Sequence, residues 1–275
     1  MIYLISRHPR FSPNSTARDE AIFRAVVVPL AMQGRSVQTL DEDRLPDTLA
    51  DAEMVLSMGR DTKTLRRLEQ VEALGVPVFN RPSALLRNTR SHLDTLIREG
   101  GAGLRSLCNS TDVEAIEAAV GYSLWLKRGD ACAQTADDVR FVENREQLEA
   151  GLQYFTAQGY EDFLASEHVV GDLVKFYGVA ETSFFHHTYP TSGGFSKFGL
   201  ETHNGAPEHH AFSLSELKTK ADAIALESGM PIYGGDAIVR ADGSFAIIDF
   251  NDWPSFGDCT MPAAEAIAAF ALSHL

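Results

Sequence analysis

Apolar and polar positions change period along the chain. Over the first third, short apolar runs alternate with stretches of helical spacing. Ile2–Ser6 is long enough for a buried strand, and a Pro- and Ser-rich polar loop follows it. Ala17–Met32 has helical spacing and stops before Gly34. Ser36–Leu40 and Glu53–Ser57 read as strands. Asp61–Leu74 carries Leu65, Leu68, Val71 and Leu74 on one helical stripe, and Val76–Phe79 reads as a fourth strand. Strands alternating with helices predict an α/β unit with a parallel sheet, whose ligands gather beyond the carboxyl ends of the strands.

The period then shifts to α+β. Asn88–Glu99 is helical and ends at the glycines of 100–103. Thr111 and Glu114 match a capping box opening a helix to about Ala119. Strands are expected over Tyr122–Lys127, Arg140–Glu143, Leu164–Val170, Leu173–Ala180 and Thr182–Tyr189, the third and fourth joined at Gly171-Asp172. Helices are expected over Glu146–Ala157 and Leu214–Ser228. Gly235–Arg240 and Phe245–Asn251 form the last strand pair, before an Ala-rich helix over Ala263–Leu275. This places a domain boundary near residues 85–90.

Composition narrows the function classes. The net charge of −14 argues against nucleic-acid and anionic-membrane partners. It is uneven: residues 1–110 carry 15 Lys/Arg against 13 Asp/Glu, and residues 111–275 carry 9 against 25. The front therefore tolerates anions and the back favours cations. Three well-separated cysteines, with no CxxC, suit a reducing cytoplasm rather than a disulfide framework. No apolar run is long enough to span a bilayer, and the first residues lack signal-peptide character.

The richest chemistry lies in residues 234–256. Asp242-Gly243 predicts a two-residue hairpin turn whose register sets Asp236 opposite Asp249. Like charges so opposed repel unless a cation lies between them. Asn251 points to the same face, and its partner Gly234 leaves room beside it. Two carboxylates and an amide oxygen are a hard-oxygen set suited to Mg²⁺. The same acids on an exposed face, or as a glycosidase pair, are the alternatives. Phe245 and Ile247 are expected on the face of Asp249, which argues for burial.

Lys127 ends one apolar strand and Lys175 interrupts another. Each suits a phosphate oxygen, and each alone also reads as an edge lysine with its head in water. Between them, Glu167-His168-Val169-Val170-Gly171-Asp172 offers strand backbone for an adenine edge and an acid for ribose.

This order resembles the ATP-grasp superfamily, in particular its amino-acid ligase and inositol-phosphate-kinase branches. The similarity covers about residues 85–258. It rests on a strand-end lysine, Glu-x-x-x-Gly-Asp-x-x-Lys, and an aspartate 13 residues before Asp249-Phe250-Asn251, with Pro254 beyond. It implies an α/β front domain with a parallel sheet (1–88) followed by an α+β ATP-grasp module (89–275). The module divides into a lid lobe of about 105–168 and a C-terminal lobe of about 169–275. It further implies ATP and Mg²⁺, with Mn²⁺ as a substitute. Lys127 grips the α/β-phosphates, and Arg90 supplies the linker-helix cation. Glu167, His168, Val169 and Val170 form the adenine hinge, and Asp172 meets ribose. Lys175 faces the terminal phosphate or the acceptor. Asp236, Asp249 and Asn251 hold the metal, Asp249 standing where many members have Glu. The loop after Lys127 is Gly-poor, which implies a stiffer phosphate lid.

An anionic small-molecule acceptor is expected near Arg7 and Arg10, in the loop after the first strand, with Lys197 and Ser255 as further substrate contacts. Neither His186-His187 nor His209-His210 can chelate from one strand face. The expected function is a carboxylate–amine ligase acting through an acyl phosphate. The alternatives are a kinase of a polyol or inositol-phosphate-like hydroxyl, and a non-catalytic nucleotide-binding module. The oligomeric state is left open.

Overall fold

The computed structural model describes residues 1–46, 48–130, 136–190 and 203–275. Among these, twelve strands form three four-stranded sheets. The chain opens with β1 (Ile2–Ser6), α1 (Thr16–Met32), β2 (Val37–Asp41), β3 (Met54–Ser57), α2 (Thr62–Ala73) and β4 (Val78–Phe79). These strands make a parallel sheet in the order β2-β1-β3-β4. The α2 stripe is legible in physical terms. Asp61 caps its first turn by accepting from the Lys63 amide, and Leu65 and Leu68 are buried.

A short α3 (Pro82–Leu85) leads into α4 (Arg90–Glu99), β5 (Ser106–Cys108), α5 (Val113–Val120), β6 (Leu124–Arg128), β7 (Val139–Val142), α6 (Arg145–Ala157) and β8 (Phe163–Glu167). The second sheet is antiparallel, ordered β5-β8-β6-β7. The expected capping box moves by one residue. Asp112 is the N-cap of α5, and its carboxylate accepts from the Ala115 amide at 3.0 Å.

The third sheet comprises β9 (Asp172–Val179), β10 (Phe185–Thr188), β11 (Ile232–Val239) and β12 (Phe245–Asp252), with α7 (Leu214–Glu227) before β11 and α8 (Thr260–Ser273) closing the chain. It is antiparallel, ordered β10-β9-β11-β12. Gly171-Asp172 is therefore no hairpin turn. β8 pairs in the second sheet and β9 in the third, so residues 168–171 carry the chain from one sheet to the other.

Helix α8 packs where its composition does not announce. Ala263, Ala264, Ile267 and Ala271 share one buried cluster with Ile22, Val26 and Leu30 of α1 and with Ile2 and Leu4 of β1. Small alanines let the two helices approach closely. The last helix thus completes the core of the first sheet.

Asn80, 1 % exposed, ties the front sheet to β11. Its amide donates to the Ile232 carbonyl at 2.7 Å and accepts from the Ile232 amide at 2.9 Å. Asn80→Ala leaves the buried Ile232 amide without a partner, while the Ile232 carbonyl keeps the Trp253 amide as donor, a loss of roughly 1–3 kcal/mol. Chemical denaturation should show a lower midpoint; an unchanged midpoint would mean the two bodies are held elsewhere.

Candidate functional site

Asp236 does face Asp249, although the hairpin reaches that register by another route. Near the turn, Arg240 accepts from Gly243 and donates to Ser244, so the loop holds three residues, with Gly243 in the left-handed region at φ +81°. Ile238 then pairs with Ala246, not Ile247, a shift of one residue. A bulge at Ile248 restores the register, so that Asp236 pairs with Asp249 and Gly234 with Asn251. The bulge also corrects the faces. Ile247 sits with Phe250, Tyr233 and Phe176 in an apolar cluster, on the side away from Asp249.

The polar face of the third sheet carries two rows. Thr188, Lys175, Asp236 and Asp249 align across β10, β9, β11 and β12. One pair further along come His186, Tyr177, Gly234 and Asn251. Glycine at 234 leaves room for its neighbours, since a Cβ there would stand a tight 3.0 Å from Pro254 and 3.1 Å from the Tyr177 ring.

From the second sheet, Lys127 reaches across and donates to the Ile248 carbonyl at 3.1 Å. The bulge thus turns a carbonyl toward the cation of the opposite sheet. Arg90, at the first turn of α4, donates to the Arg128 carbonyl and lies 3.7 Å from Asp249 Oδ1. Asn251 donates to Asp249 Oδ2 at 3.2 Å. Lys175 pairs with Asp236 at 2.9 Å. Each facing carboxylate therefore has its own cation in the protein itself. The expectation of an uncompensated repulsion does not hold.

Burial shapes the charges. It pushes the Lys127 ammonium below its ordinary value, and Arg90 adds to that; Asp249, Asp94 and Asp236 oppose it. Burial also pushes Asp249 up, but Arg90, Lys127, Asn251 and Lys175 outweigh it and hold the carboxyl below the usual range. A cleft of about 750 Å³ runs between the second and third sheets and up to the end of the first, and Lys127, Arg90, Asp249, Asn251, Arg60 and Arg10 are among its walls.

The structure does not bring every expected residue into this cleft. Glu167 accepts from the Arg105 amide at 2.9 Å and pairs with its guanidinium at 2.7 Å. His168 accepts from the Trp125 indole at 3.2 Å, and burial with His203 nearby pushes its imidazole down. Val169 is half-buried and Val170 is 76 % exposed. Asp172 is buried, and its two oxygens accept from the amides of Glu208 and His210, both at 2.6 Å. Its carboxylate is engaged by the chain's own backbone rather than open to a ribose.

The loop after β1 is also engaged. The Arg7 side chain is buried, donating to the Met58 and Trp253 carbonyls and pairing with Asp19 at 3.4 Å. The amides of His8, Arg60 and Asp61 all point at the buried Glu42 carboxylate. An internal acid thus fills the anion position at the end of the front sheet. Arg10 alone of that loop's two arginines lines the cleft, where it pairs with Asp61. Ser255 is half-buried and is not among the residues lining the cleft. Lys197 and most of the loop after Lys127, residues 131–135, lie outside the described residues.

Arg60 and Ser166 also line the cleft, neither of them expected there from the sequence. Arg60 follows β3 at the carboxyl end of the front sheet, the position where ligands gather, and pairs with Asp252. Ser166, on β8, is buried in the cleft wall with no hydrogen-bond partner for its hydroxyl among the described residues. No local sequence signal marks it.

No family model matches the sequence, and no curated protein matches it. Solved structures do. A RimK domain ATP-grasp protein from Sphaerobacter thermophilus superposes with a TM-score of 0.66 at 16 % identity, covering 99 % of this chain and 100 % of that one. The ATP-grasp ligase PsnB, solved with a minimal precursor, Mg and ADP, gives 0.65 at 19 % identity, covering 98 % and 96 %. A D-alanine–D-alanine ligase from Bacillus anthracis gives 0.63 at 11 % identity, covering 99 % and 97 %. The chain has the ATP-grasp fold.

Proposed function

We propose that the protein is an ATP- and Mg²⁺-dependent ligase that joins a small carboxylate to an amine through an acyl phosphate, with a front domain over residues 1–88. The observation that carries this reading is the meeting of Lys127 from one sheet with the carboxylate row of the other. Asp236, Asp249 and Asn251 offer the oxygen donors a hard cation needs, and the unpartnered Ser166 hydroxyl in the cleft is a polar group that a ligand would satisfy. PsnB, a ligase of this fold, holds Mg and ADP. Such an ion supplies charge neutralisation between nucleotide oxygens.

The chain's own residues do the rest. Lys127 and Arg90 hold phosphate oxygens from the second-sheet side, while Lys175 leaves Asp236 for the terminal phosphate. The acceptor carboxylate attacks the γ-phosphorus and ADP departs. The amine then displaces phosphate and loses its proton. Arg10 and Arg60 orient the acceptor carboxylate at the front-domain end of the cleft.

Arg10→Ala should raise the KM for the acceptor about 10-fold and leave nucleotide affinity intact, as loss of one charge-assisted contact implies. Steady-state kinetics with acceptor and ATP varied separately would check this. Equal loss of ATP affinity would move the loop into the nucleotide site.

A further inference from the structure

A second cluster lies on the other polar row of the third sheet. A ring nitrogen of His186, a carboxylate oxygen of Asp258 and the Cys259 sulfur all lie within 4.8 Å of one another. His186 comes from β10, and the other two come from the turn between β12 and α8. That turn bends back through Trp253 at φ +27° and Phe256 at φ +49°, both non-glycine residues in strained backbone.

The imidazole is placed firmly. Tyr177 stacks on it at 9° between planes, and Asp258 Oδ1 lies 3.4 Å from Nε2. Nε2 is nevertheless buried and makes no hydrogen bond to any described residue. Cys259 is 4 % exposed, and burial together with Asp258 pushes its thiol up to about 12. A His186 ring nitrogen and an Asp258 carboxylate oxygen lie within 4.8 Å of its sulfur.

One nitrogen, one sulfur and one oxygen form a borderline-soft donor set, unlike the all-oxygen set of Asp236, Asp249 and Asn251. We propose that His186, Asp258 and Cys259 bind a Zn²⁺-class divalent ion, with a fourth position open to water. Binding forms the metal–sulfur bond and releases the thiol proton to solvent.

The test is Co²⁺ titration of the full-length chain after chelator treatment. The expected result is one Co²⁺ per chain with a thiolate-to-cobalt charge-transfer band, displaced by Zn²⁺. Cys259→Ser should abolish the band, and His186→Gln should weaken Co²⁺ binding at least about 10-fold. Asp236→Asn should leave the band unchanged. No thiolate band on folded protein overturns the proposal, as does a band that survives Cys259→Ser or disappears in Asp236→Asn. Should Cys259→Ser fail to fold by circular dichroism, the half-exposed His186→Gln decides: unchanged Co²⁺ affinity there overturns the proposal.

Discussion

Lys127→Met should abolish the stabilisation of the protein by Mg-ATP while leaving the free protein at least as stable as the parent. The parent, with nucleotide at 100 times its Kd, should gain about 2.7 kcal/mol, or roughly 5–10 °C in Tm. Methionine keeps the buried aliphatic stem and removes the ammonium that reaches the Ile248 carbonyl. The stability sign follows from the depressed lysine. Burial and Arg90 disfavour its charged form in the fold, so the cost is present at neutral pH and is relieved as pH rises through the folded pKa. Removing the charge removes that cost. Calorimetry with and without nucleotide measures both effects. A variant that melts lower yet keeps the full nucleotide shift would make Lys127 a structural cation.

Asp249→Asn should cut turnover by about 100-fold or more and, unlike the lysine variant, destabilise the free protein. Arg90 and Lys127 surround this carboxylate and hold it below the usual range against the opposing effect of burial. Taking away its charge leaves buried cations without their counter-charge, a cost of about 1–3 kcal/mol. A carboxyl depressed by folding contributes stability above its unfolded pKa, and that contribution is lost as pH falls through the folded value. The difference between parent and variant should therefore be full at neutral pH and close below pH ~4. Denaturation midpoints across that range check it. A variant as stable as the parent at pH 7 would mean that the cations do not depend on Asp249.

The pairing of Asp236 with Asp249 was legible, yet it arises from two one-residue offsets that cancel. The turn takes Ala241 into its loop, and the bulge at Ile248 returns the residue. Alternation along a strand shows neither, because both are set by backbone pairing rather than by which residues are apolar. The sheet change at Gly171 was hidden for a similar reason. Two apolar runs joined by a glycine read alike whether they turn back or cross to another sheet. The engagement of Arg7, Asp172 and Glu167 was beyond local reading altogether. Their partners lie at Asp19 and Trp253, at Glu208 and His210, and at Arg105. The residues whose placement was legible, Lys127, Asp249 and Asn251, are those that break an apolar strand pattern. A polar group in such a pattern needs a partner from elsewhere in the fold.

The most direct test of ligase activity is product analysis after incubation with ATP, Mg²⁺ and pooled amino acids, small carboxylates and polyols. Nucleotides and phosphate would be quantified, and condensed products sought by mass spectrometry. ADP and inorganic phosphate are expected in equal amounts, released only when a carboxylate and an amine are both present, with a product whose mass is their sum less water. ADP with a phosphorylated polyol and no free phosphate would contradict ligase activity, as would nucleotide binding without turnover on any combination.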